Sequence, residues 1–449
     1  MSKESQPQPL RAIIAAVQLP SIADQEFNAS LMELGELAKT LGYQVVHTFV
    51  QKRSSFDTTA YLGVGKREEI HQYVNMVSGG SLADVQDAGP IEAILVDHEI
   101  SPSQARNLEK AVGCPVMDRT MVILEIFHRN ARSPAARAQV EIARLGYMAP
   151  RLREMAKLAG PQGRQRSGVG GRGAGESHTE LDRRKIRDRI AELQQEIIAM
   201  EADRNIQRAR RQDRRSQAAV ALVGYANAGK STLMRALTGS EVLVANKLFA
   251  TLDTTVRALH PESVPRVLIS DTVGFIKNLP HGLVASFKST LDEALDASLL
   301  LHVVDASDSG YERQMQVTED VLHEIGAQDI PRLRIFNKID HVGDDSAQTA
   351  HTLMLQAKYP DCIVMSARRP DDVARLHQTI VHFFQKDLIE ETFFLPWSAQ
   401  QLRSDMYARC TVLEERADAD GAYFRVKGEA GVLGQLRDQL NPGQRTESL

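Results

Sequence analysis

From residue 12 to about residue 115, short apolar runs alternate with segments in which apolar residues recur at helical spacing. The runs IIAAVQL (13–19), YQVVHTFVQ (43–51) and IEAILVDHEI (91–100) are typical of buried β-strands. The segments Asn28 to Thr40 and KREEIHQYVNMV (66–77), which lie between these runs, are typical of helices. Because strands and helices alternate, the pattern predicts βαβ units around a small parallel sheet.

Residues 116–216 show a different pattern, with two helix-forming arms on either side of the glycine- and arginine-rich segment GPQGRQRSGVGGRGAGES (160–177). Apolar residues in the second arm follow one another at alternating steps of four and three, which is the spacing of a coiled-coil seam. The seam residues are Ile186, Ile190, Leu193, Ile197 and Met200. We therefore predict an antiparallel helical hairpin with a basic tip, in which Pro134 and Pro150 interrupt or bend the first arm.

Alternating strands and helices return after residue 216, and the pattern shortens again near residue 387. The fold class predicted from this order is multidomain α/β. The predicted units are an N-terminal α/β domain (1–115), a helical hairpin with a Gly/Arg-rich tip (116–216), a P-loop domain with a mostly parallel sheet and helices on both faces (217–386), and a small C-terminal α/β domain (387–449).

Composition narrows the class of protein. Of 449 residues, 43% are hydrophobic and 25% are charged, which is an ordinary globular balance, and the net charge of −4 does not by itself indicate a nucleic-acid binder. The three cysteines have no CxxC spacing, which excludes a disulfide framework and fits a reducing compartment. No segment approaches the ~20 consecutive apolar residues of a membrane span. We expect a cytoplasmic protein without a membrane span.

A phosphate-binding loop follows the apolar run AVALV (219–223). The segment GYANAGKS matches GxxxxGK[ST], in which glycines let backbone N–H groups curl around phosphate oxygens at a helix N-terminus. Lys230 is expected to reach the β- and γ-phosphates, and the Ser231 hydroxyl to ligate Mg²⁺. The predicted phosphate-binding residues are Gly224, Tyr225, Ala226, Asn227, Ala228, Gly229, Lys230 and Ser231. A chance glycine loop is disfavoured because a strand precedes this segment and a helix follows it.

Three further motifs, DTVG (271–274), NKID (337–340) and SAR (366–368), together with the loop predict a guanine-nucleotide site. RVLISDTVG (266–274) places Asp271 near the magnesium shell and lets the Gly274 N–H face the γ-phosphate. In NKID (337–340), the Asp340 carboxylate can accept from guanine N1 and N2, a pair of donors that adenine lacks. The predicted residues of these motifs are Asp271, Thr272, Val273, Gly274, Asn337, Lys338, Ile339, Asp340, Ser366, Ala367 and Arg368. The motifs therefore predict a site for GTP and GDP, and hydrolysis of GTP to GDP and phosphate.

The first switch should lie in NKLFATLDTTVR (246–257), where a threonine folds over Mg²⁺ and the γ-phosphate. Thr251, Thr254 and Thr255 are all chemically able to do so, and their spacing does not choose among them. Phe275 stands where many GTPases place a water-orienting glutamine, so we expect slow hydrolysis by the isolated protein. The same ring can simply pack beneath the switch, and both interpretations can hold.

Asn227, at the fourth position of the loop, offers an amide oxygen for a monovalent cation, which would place positive charge beside the phosphates. An asparagine at this position also occurs as a hydrogen-bonding residue that stabilises the loop. Potassium is therefore one candidate cofactor beside Mg²⁺, and the sequence leaves the two roles open.

Together, GYANAGKS, FATLDTT, DTVGF and NKID, preceded by RSPAARAQVEIARLGYMAPRL (132–152) and GGRGAGES (170–177), resemble the HflX family of bacterial translation-factor-class GTPases. The resemblance covers about residues 12–386, and the C-terminal segment matches less distinctly. It implies that Thr251 binds magnesium together with Ser231, and that Lys230, Thr251 and Gly274 act in catalysis. It also implies a nucleotide contact by the switch residues Phe249, Ala250, Thr251, Leu252 and Asp253.

Members of that family are understood to bind the large ribosomal subunit and to split or rescue ribosomes, with the hairpin directed towards the peptidyl-transferase region. Arg164, Arg166 and Arg172 at the predicted tip are the candidate contacts with ribosomal RNA. Without the family, a basic run is more often a solvated helix face. The alternative is a GTP-switched scaffold whose hairpin binds a protein. A second nucleotide site in the N-terminal domain is a weaker possibility, because the sequence there offers no phosphate-binding loop. We expect the protein to be a monomer.

Overall fold

The protein is described by a computed structural model of residues 10–78, 89–158, 178–212, 218–239, 248–249, 254–263, 265–277, 279, 293–386 and 388–440, with backbone alone at 152–158, 178–182 and 201–212. Several residues singled out from the sequence lie outside these ranges. They are Arg164, Arg166 and Arg172 of the predicted tip, and Ala250, Thr251, Leu252 and Asp253 of the predicted first switch.

The N-terminal domain is built on a four-stranded parallel sheet in the order β2-β1-β3-β4. Its strands are β1 (Leu10–Gln18), β2 (Tyr43–Lys52), β3 (Ile91–Val96) and β4 (Val116–Asp118). Its helices are α1 (Asp24–Thr40), α2 (Val64–Ser78), α3 (Pro102–Val112) and α4 (Arg119–Asn130). Residues 12–17 of β1 are all buried, as expected for a parallel strand covered on both faces.

Two long helices, α5 (Pro134–Leu158) and α6 (His178–Gln212), pack against each other after α4. Leu193, at the centre of the predicted seam, is buried, and Arg189 of α6 donates to Glu141 of α5 at 3.3 Å. Pro134 begins α5, where its missing N–H has no helical acceptor to lose, and Pro150 lies inside the same helix. These contacts place the two arms of the predicted hairpin side by side.

The central domain has a six-stranded sheet in the order β10-β9-β8-β5-β7-β6, in which β6 alone runs antiparallel to its neighbour. Its strands are β5 (Ala218–Gly224), β6 (Thr255–Ala258), β7 (Val267–Asp271), β8 (Leu299–Asp305), β9 (Arg332–Asn337) and β10 (Ile363–Val364). The described helices are α7 (Lys230–Thr238), α8 (Tyr311–Glu324), α9 (Asp345–Lys358) and α10 (Pro370–Gln385).

Alternate residues of β5 enter two different apolar clusters, Val220 and Leu222 on one face and Ala221 and Val223 on the other. The sheet is therefore buried on both faces, which confirms the mostly parallel α/β architecture predicted from the sequence. The carboxyl ends of its parallel strands share one edge, where ligands bind in folds of this class.

The C-terminal domain is a three-stranded antiparallel sheet in the order β11-β13-β12, packed against two helices. Its elements are β11 (Ile389–Pro396), α11 (Gln401–Arg409), β12 (Thr411–Ala417), β13 (Gly421–Gly428) and α12 (Ala430–Leu440). Phe393 and Phe424, which are paired across β11 and β13, lie in its core. The predicted small α/β fold of this region is confirmed.

One apolar cluster runs from the N-terminal domain into the central domain. It joins Leu34 and Phe127 of the first to Tyr225, Phe249 and Phe275 of the second. The N-terminal domain therefore packs directly against the predicted nucleotide loop, the predicted first switch and the segment 274–277, which we call the second switch. Among the helices of the described ranges, none is both long and apolar enough to cross a membrane.

Candidate nucleotide site

The loop between β5 and α7 is held by two glycines that approach other backbone or side-chain atoms closely. Gly224 has φ 147°, and a Cβ there would meet the Val303 carbonyl oxygen at 2.2 Å. Gly229 has φ 95°, and a Cβ there would meet Asn337 Nδ2 at 2.3 Å. Only glycine fits both positions, which explains why the motif requires it at each end of the loop.

Lys230 lies at the first position of α7 and is buried. Its Nζ donates to the carbonyl oxygens of Gly224 at 2.9 Å and Tyr225 at 2.8 Å, so the side chain folds back over the loop. Burial lowers the pKa of Lys230 to about 8, against the opposing attraction of the Asp271 carboxylate. A cation in this position fits a site for phosphate oxygens.

Ser231 and Asp271, which are 40 residues apart in sequence, meet beside Lys230. The Ser231 hydroxyl donates to Asp271 Oδ2 at 2.7 Å. Hydroxyl and carboxylate oxygens are the hard donors that Mg²⁺ prefers, so these two side chains fit a magnesium site. Thr272 and Val273, the next residues of the motif, are buried, and Thr272 donates to the Leu222 carbonyl at 2.6 Å.

Gly274 lies against the phosphate-binding loop. A Cβ at this position would lie 2.8 Å from Ala226 Cα and 3.0 Å from Lys230 Nζ. Phe275 then pairs with the loop through two backbone hydrogen bonds, since its N–H donates to Gly224 and its carbonyl accepts from Ala226 at 2.6 Å. Its ring is 1% exposed and lies in the same apolar cluster as Phe249 of the predicted first switch, which fits the interpretation that it packs beneath that switch.

Asn337 connects the base-binding motifs with the phosphate-binding loop. Its Nδ2 donates to the Ala228 carbonyl at 3.0 Å, and its Oδ1 accepts from the Ala367 N–H at 2.9 Å. Lys338 follows with a left-handed φ of 62° and donates to Asp305 at 2.7 Å. Asn337 therefore brings the ends of β9 and β10 and the loop after β5 to one place.

Asp340 presents a carboxylate at this end of the site, where the base is predicted to bind. Burial opposes its ionisation, but the Ser366 hydroxyl, the Asp340 N–H, and the nearby His341 and Arg368 together hold its pKa below the ordinary value. Arg368 lies 3.7 Å from Asp340 Oδ2, and the Asp340 side chain keeps 21% of its exposure. The group is therefore an ionised acceptor open to a base. Ile339 is buried beneath it.

Two other predicted residues, Asn227 and Phe249, differ in their exposure to solvent. Asn227 is exposed and has a left-handed φ of 63°. Phe249, also with positive φ, packs its ring 4.6 Å from the Phe127 ring. Of the three candidate switch threonines, Thr255 lies in β6, Thr254 comes immediately before it, and Thr251 falls outside the described ranges.

The sequence does not predict the contacts that the loop makes with the N-terminal domain. The Tyr225 hydroxyl donates to Glu33 at 3.0 Å and accepts from the Lys277 N–H at 2.8 Å. Burial raises the pKa of Tyr225, which therefore stays a phenol. No local signal marks Glu33, because a glutamate inside an amphipathic helix is ordinarily a solvated residue.

Family models and solved structures that are similar to the chain are described as GTP-binding proteins or GTPases. Family models described as GTP-binding GTPase N-terminal, GTP-binding GTPase middle region and 50S ribosome-binding GTPase match residues 28–128, 130–211 and 219–338. Among solved structures, a GTP-binding protein from Sulfolobus solfataricus in complex with GDP is 22% identical, with a TM-score of 0.43, over 83% of this chain and 99% of that chain.

Curated relatives match the chain along nearly its whole length. "GTPase HflX" of Escherichia coli is 35% identical over 413 residues, or 92% of each chain. "GTPase HflX" of Gluconacetobacter diazotrophicus is 48% identical over 461 residues, which cover 97% of this chain and 99% of the relative. Identity of this extent, carried through the N-terminal domain and the hairpin as well as the nucleotide motifs, shows that the chain is a GTP-hydrolysing member of the HflX family.

Proposed function

We propose that this GTPase associates with the large ribosomal subunit, that its nucleotide state controls the association, and that it thereby splits or rescues ribosomes in the cytoplasm. The observation that carries the proposal is the pair of packed helices α5 and α6, of 25 and 35 residues. At about 1.5 Å per residue, arms of this length extend about 35–50 Å. The family model described as 50S ribosome-binding GTPase, which matches residues 219–338, supports the same partner.

The basic segment between the two helices is the proposed contact with ribosomal RNA. Arg164, Arg166 and Arg172 supply the guanidinium groups that pair with phosphate oxygens. Contacts of this kind give an affinity that falls steeply with salt, because bound counterions are released. We propose that the protein binds as a monomer.

In the proposed chemistry, the loop from Gly224 to Ser231 and the Lys230 ammonium bind the β- and γ-phosphates. Ser231 and Thr251 would hold Mg²⁺, which supplies charge neutralisation between these phosphates when bound. The Gly274 N–H faces the γ-phosphate, and Asn337, Asp340 and the segment from Ser366 to Arg368 hold the guanine. Two observations support this assignment, the 2.7 Å contact of Ser231 with Asp271 and the anchoring of Asn337 to the loop.

The group that orients the attacking water is proposed to come from outside these residues. Phe275, which is buried and has an apolar ring, cannot hold a water in line with the γ-phosphate. Two sources are compatible with the site, ribosome contact and a potassium ion ligated by the exposed Asn227. Either would add positive charge or a donor where charge develops in the transition state.

The alternative function is a GTP-switched scaffold whose hairpin binds a protein partner. The two functions differ in what the tip arginines contact, so salt dependence distinguishes them. If the arginines contact phosphates, log affinity falls linearly with log salt. Each arginine removed should then make this negative slope shallower by about 0.7–0.9. A protein contact made through apolar helix faces has a much weaker dependence on salt.

The test is co-sedimentation of the protein with purified large subunits across a salt series, in GDP and in a non-hydrolysable GTP analogue. We expect binding in the analogue and a shallower slope when Arg164, Arg166 and Arg172 are replaced by alanine, with GTP affinity unchanged. Replacing the same three residues by lysine is the matched control, since it keeps the charges and should keep most of the slope. Equal subunit affinity in the alanine variant would favour the protein scaffold.

A further inference from the structure

One side of α1 contacts three parts of the nucleotide site. Its contact residues Glu26, Glu33 and Thr40 are spaced seven apart, so they lie along one stripe of the helix. At the start of the helix, Glu26 pairs with Lys277 Nζ at 2.9 Å, at the end of the second switch. Halfway along, Glu33 accepts from the Tyr225 hydroxyl of the phosphate-binding loop.

The far end of the stripe reaches the first switch. The Thr40 hydroxyl accepts from the Leu248 N–H at 3.2 Å. Beside it, Asn130 of α4 donates to the Phe249 carbonyl at 2.9 Å. Both described residues at the start of the predicted first switch are therefore bonded to the N-terminal domain.

The Tyr225 hydroxyl is the junction of these contacts. It donates to Glu33 at 3.0 Å and accepts from the Lys277 backbone N–H at 2.8 Å. Lys277 is three residues beyond Gly274, whose N–H is expected to face the γ-phosphate. One hydroxyl thus bonds the phosphate-binding loop, the backbone of the second switch and the N-terminal domain at a single point.

Glu33 is itself held in one orientation. Its second carboxylate oxygen pairs with Arg119, which is 2% exposed and also contacts Asp97 at 3.1 Å. Burial raises the pKa of Glu33, and the adjacent Arg119 and Tyr225 oppose that shift. Because the guanidinium fixes one oxygen and the phenol the other, the carboxylate has little freedom to turn.

We propose that Glu33 is a positioning residue for GTP hydrolysis, which acts through the Tyr225 hydroxyl to hold the second switch against the phosphate-binding loop. The N-terminal domain is then part of the hydrolytic machinery rather than an appendage. The proposal rests on the GTPase activity of the family and not on ribosome binding, so it is tested in the absence of ribosomes.

The test is a double-mutant cycle on single-turnover GTP hydrolysis. Tyr225→Phe keeps the ring in its apolar cluster and removes both hydrogen bonds, while Glu33→Ala removes the acceptor. We expect each to slow hydrolysis about three- to tenfold, with GTP affinity changed less than about twofold. The double variant should be no slower than the slower single variant, because both act through the same hydroxyl.

Two further variants separate positioning from loss of folding. Glu33→Gln keeps a carbonyl oxygen that accepts from Tyr225, so it should retain more activity than Glu33→Ala. Glu36→Gln, on the same helix with 55% side-chain exposure, is the matched control and should hydrolyse GTP at the wild-type rate. Unchanged rates in Tyr225→Phe, or losses that multiply in the double variant, would overturn the proposal. A fall in GTP affinity equal to the fall in rate would do the same.

Discussion

At the scale of single residues, Asn337 and Asp340 have different proposed roles in binding the base. Asn337 is bonded on both sides to the protein, to the Ala228 carbonyl and the Ala367 N–H, so it shapes the site. Asp340 keeps an ionised carboxylate with partial exposure, as recognition of two guanine donors requires. The motif predicted both residues, but not the pairing of Asn337 with the phosphate-binding loop, because its partners are 109 and 30 residues away.

The first prediction is that Asp340→Asn exchanges base preference. The amide offers a donor where the carboxylate accepted, which suits the carbonyl of xanthine and leaves a guanine donor unpaired. GTP affinity should fall by about 1–3 kcal/mol, and xanthosine triphosphate should bind more tightly than GTP. Competition binding measures both affinities, with the exposed Asp345→Asn as the control. Normal GTP affinity in Asp340→Asn would contradict the assignment.

A second residue-scale prediction concerns Asn227. If its amide oxygen ligates a monovalent cation, GTP turnover should be faster in potassium than in sodium at equal ionic strength, because sodium is smaller and bridges the phosphates less well. Asn227→Ala should abolish the difference. The assay is run on free protein and with saturating large subunits. Equal rates in both salts under both conditions would leave the ribosome as the source of the missing catalytic group.

At the scale of elements, β8 contains a buried histidine that the apolar pattern of the strand does not explain. The run LLLHVVD is buried except at Asp305, which is half-buried, and an apolar run of this kind is typical of a strand in a parallel sheet. His302 within it is 1% exposed and lies 3.6 Å from Glu319 of α8. Burial, assisted by the neighbouring Arg334 and Arg332, lowers the pKa of His302 from 6.5 to about 3.

The third prediction follows from that shift. The folded protein keeps His302 neutral, whereas the unfolded chain binds a proton below pH 6.5. The stability linked to His302 is therefore fully present above pH 6.5 and is lost as the pH falls towards 3. When the pH is lowered from about 7.5 to about 5.5, the free energy of unfolding should fall in both proteins. The fall should be about 1.4 kcal/mol smaller in His302→Gln than in the wild type.

Denaturant titrations at the two pH values measure this difference. His323→Gln is the matched control, because His323 is exposed on α8 in the same domain. It should show the wild-type dependence on pH. If His302→Gln lost as much stability as the wild type on acidification, His302 would not be neutral in the folded protein.

At the scale of the whole molecule, the alternation of strands and helices and the two mostly parallel sheets follow from local patterns, because each strand and helix has its own periodicity. The docking of the N-terminal domain against the nucleotide site does not follow from local patterns. Its contact between Tyr225 and Glu33 joins residues 192 apart, and each residue alone is unremarkable in its own segment. Pairings at that separation depend on the packed structure, which is why the motifs predicted the nucleotide site but not its connection to α1.

The central proposal is that the large ribosomal subunit controls this GTPase, and that contact with it contributes to orienting the attacking water, which Phe275 cannot do. The most direct measurement is GTP turnover by the wild-type protein with and without saturating purified large subunits, in potassium and magnesium. Removal of one such donor from an active site typically lowers the catalytic rate about 100-fold or more. We therefore predict that large subunits raise the rate of GTP turnover at least about tenfold. If subunits that demonstrably bind the protein left its turnover unchanged, the claim of a ribosome-controlled GTPase would be contradicted.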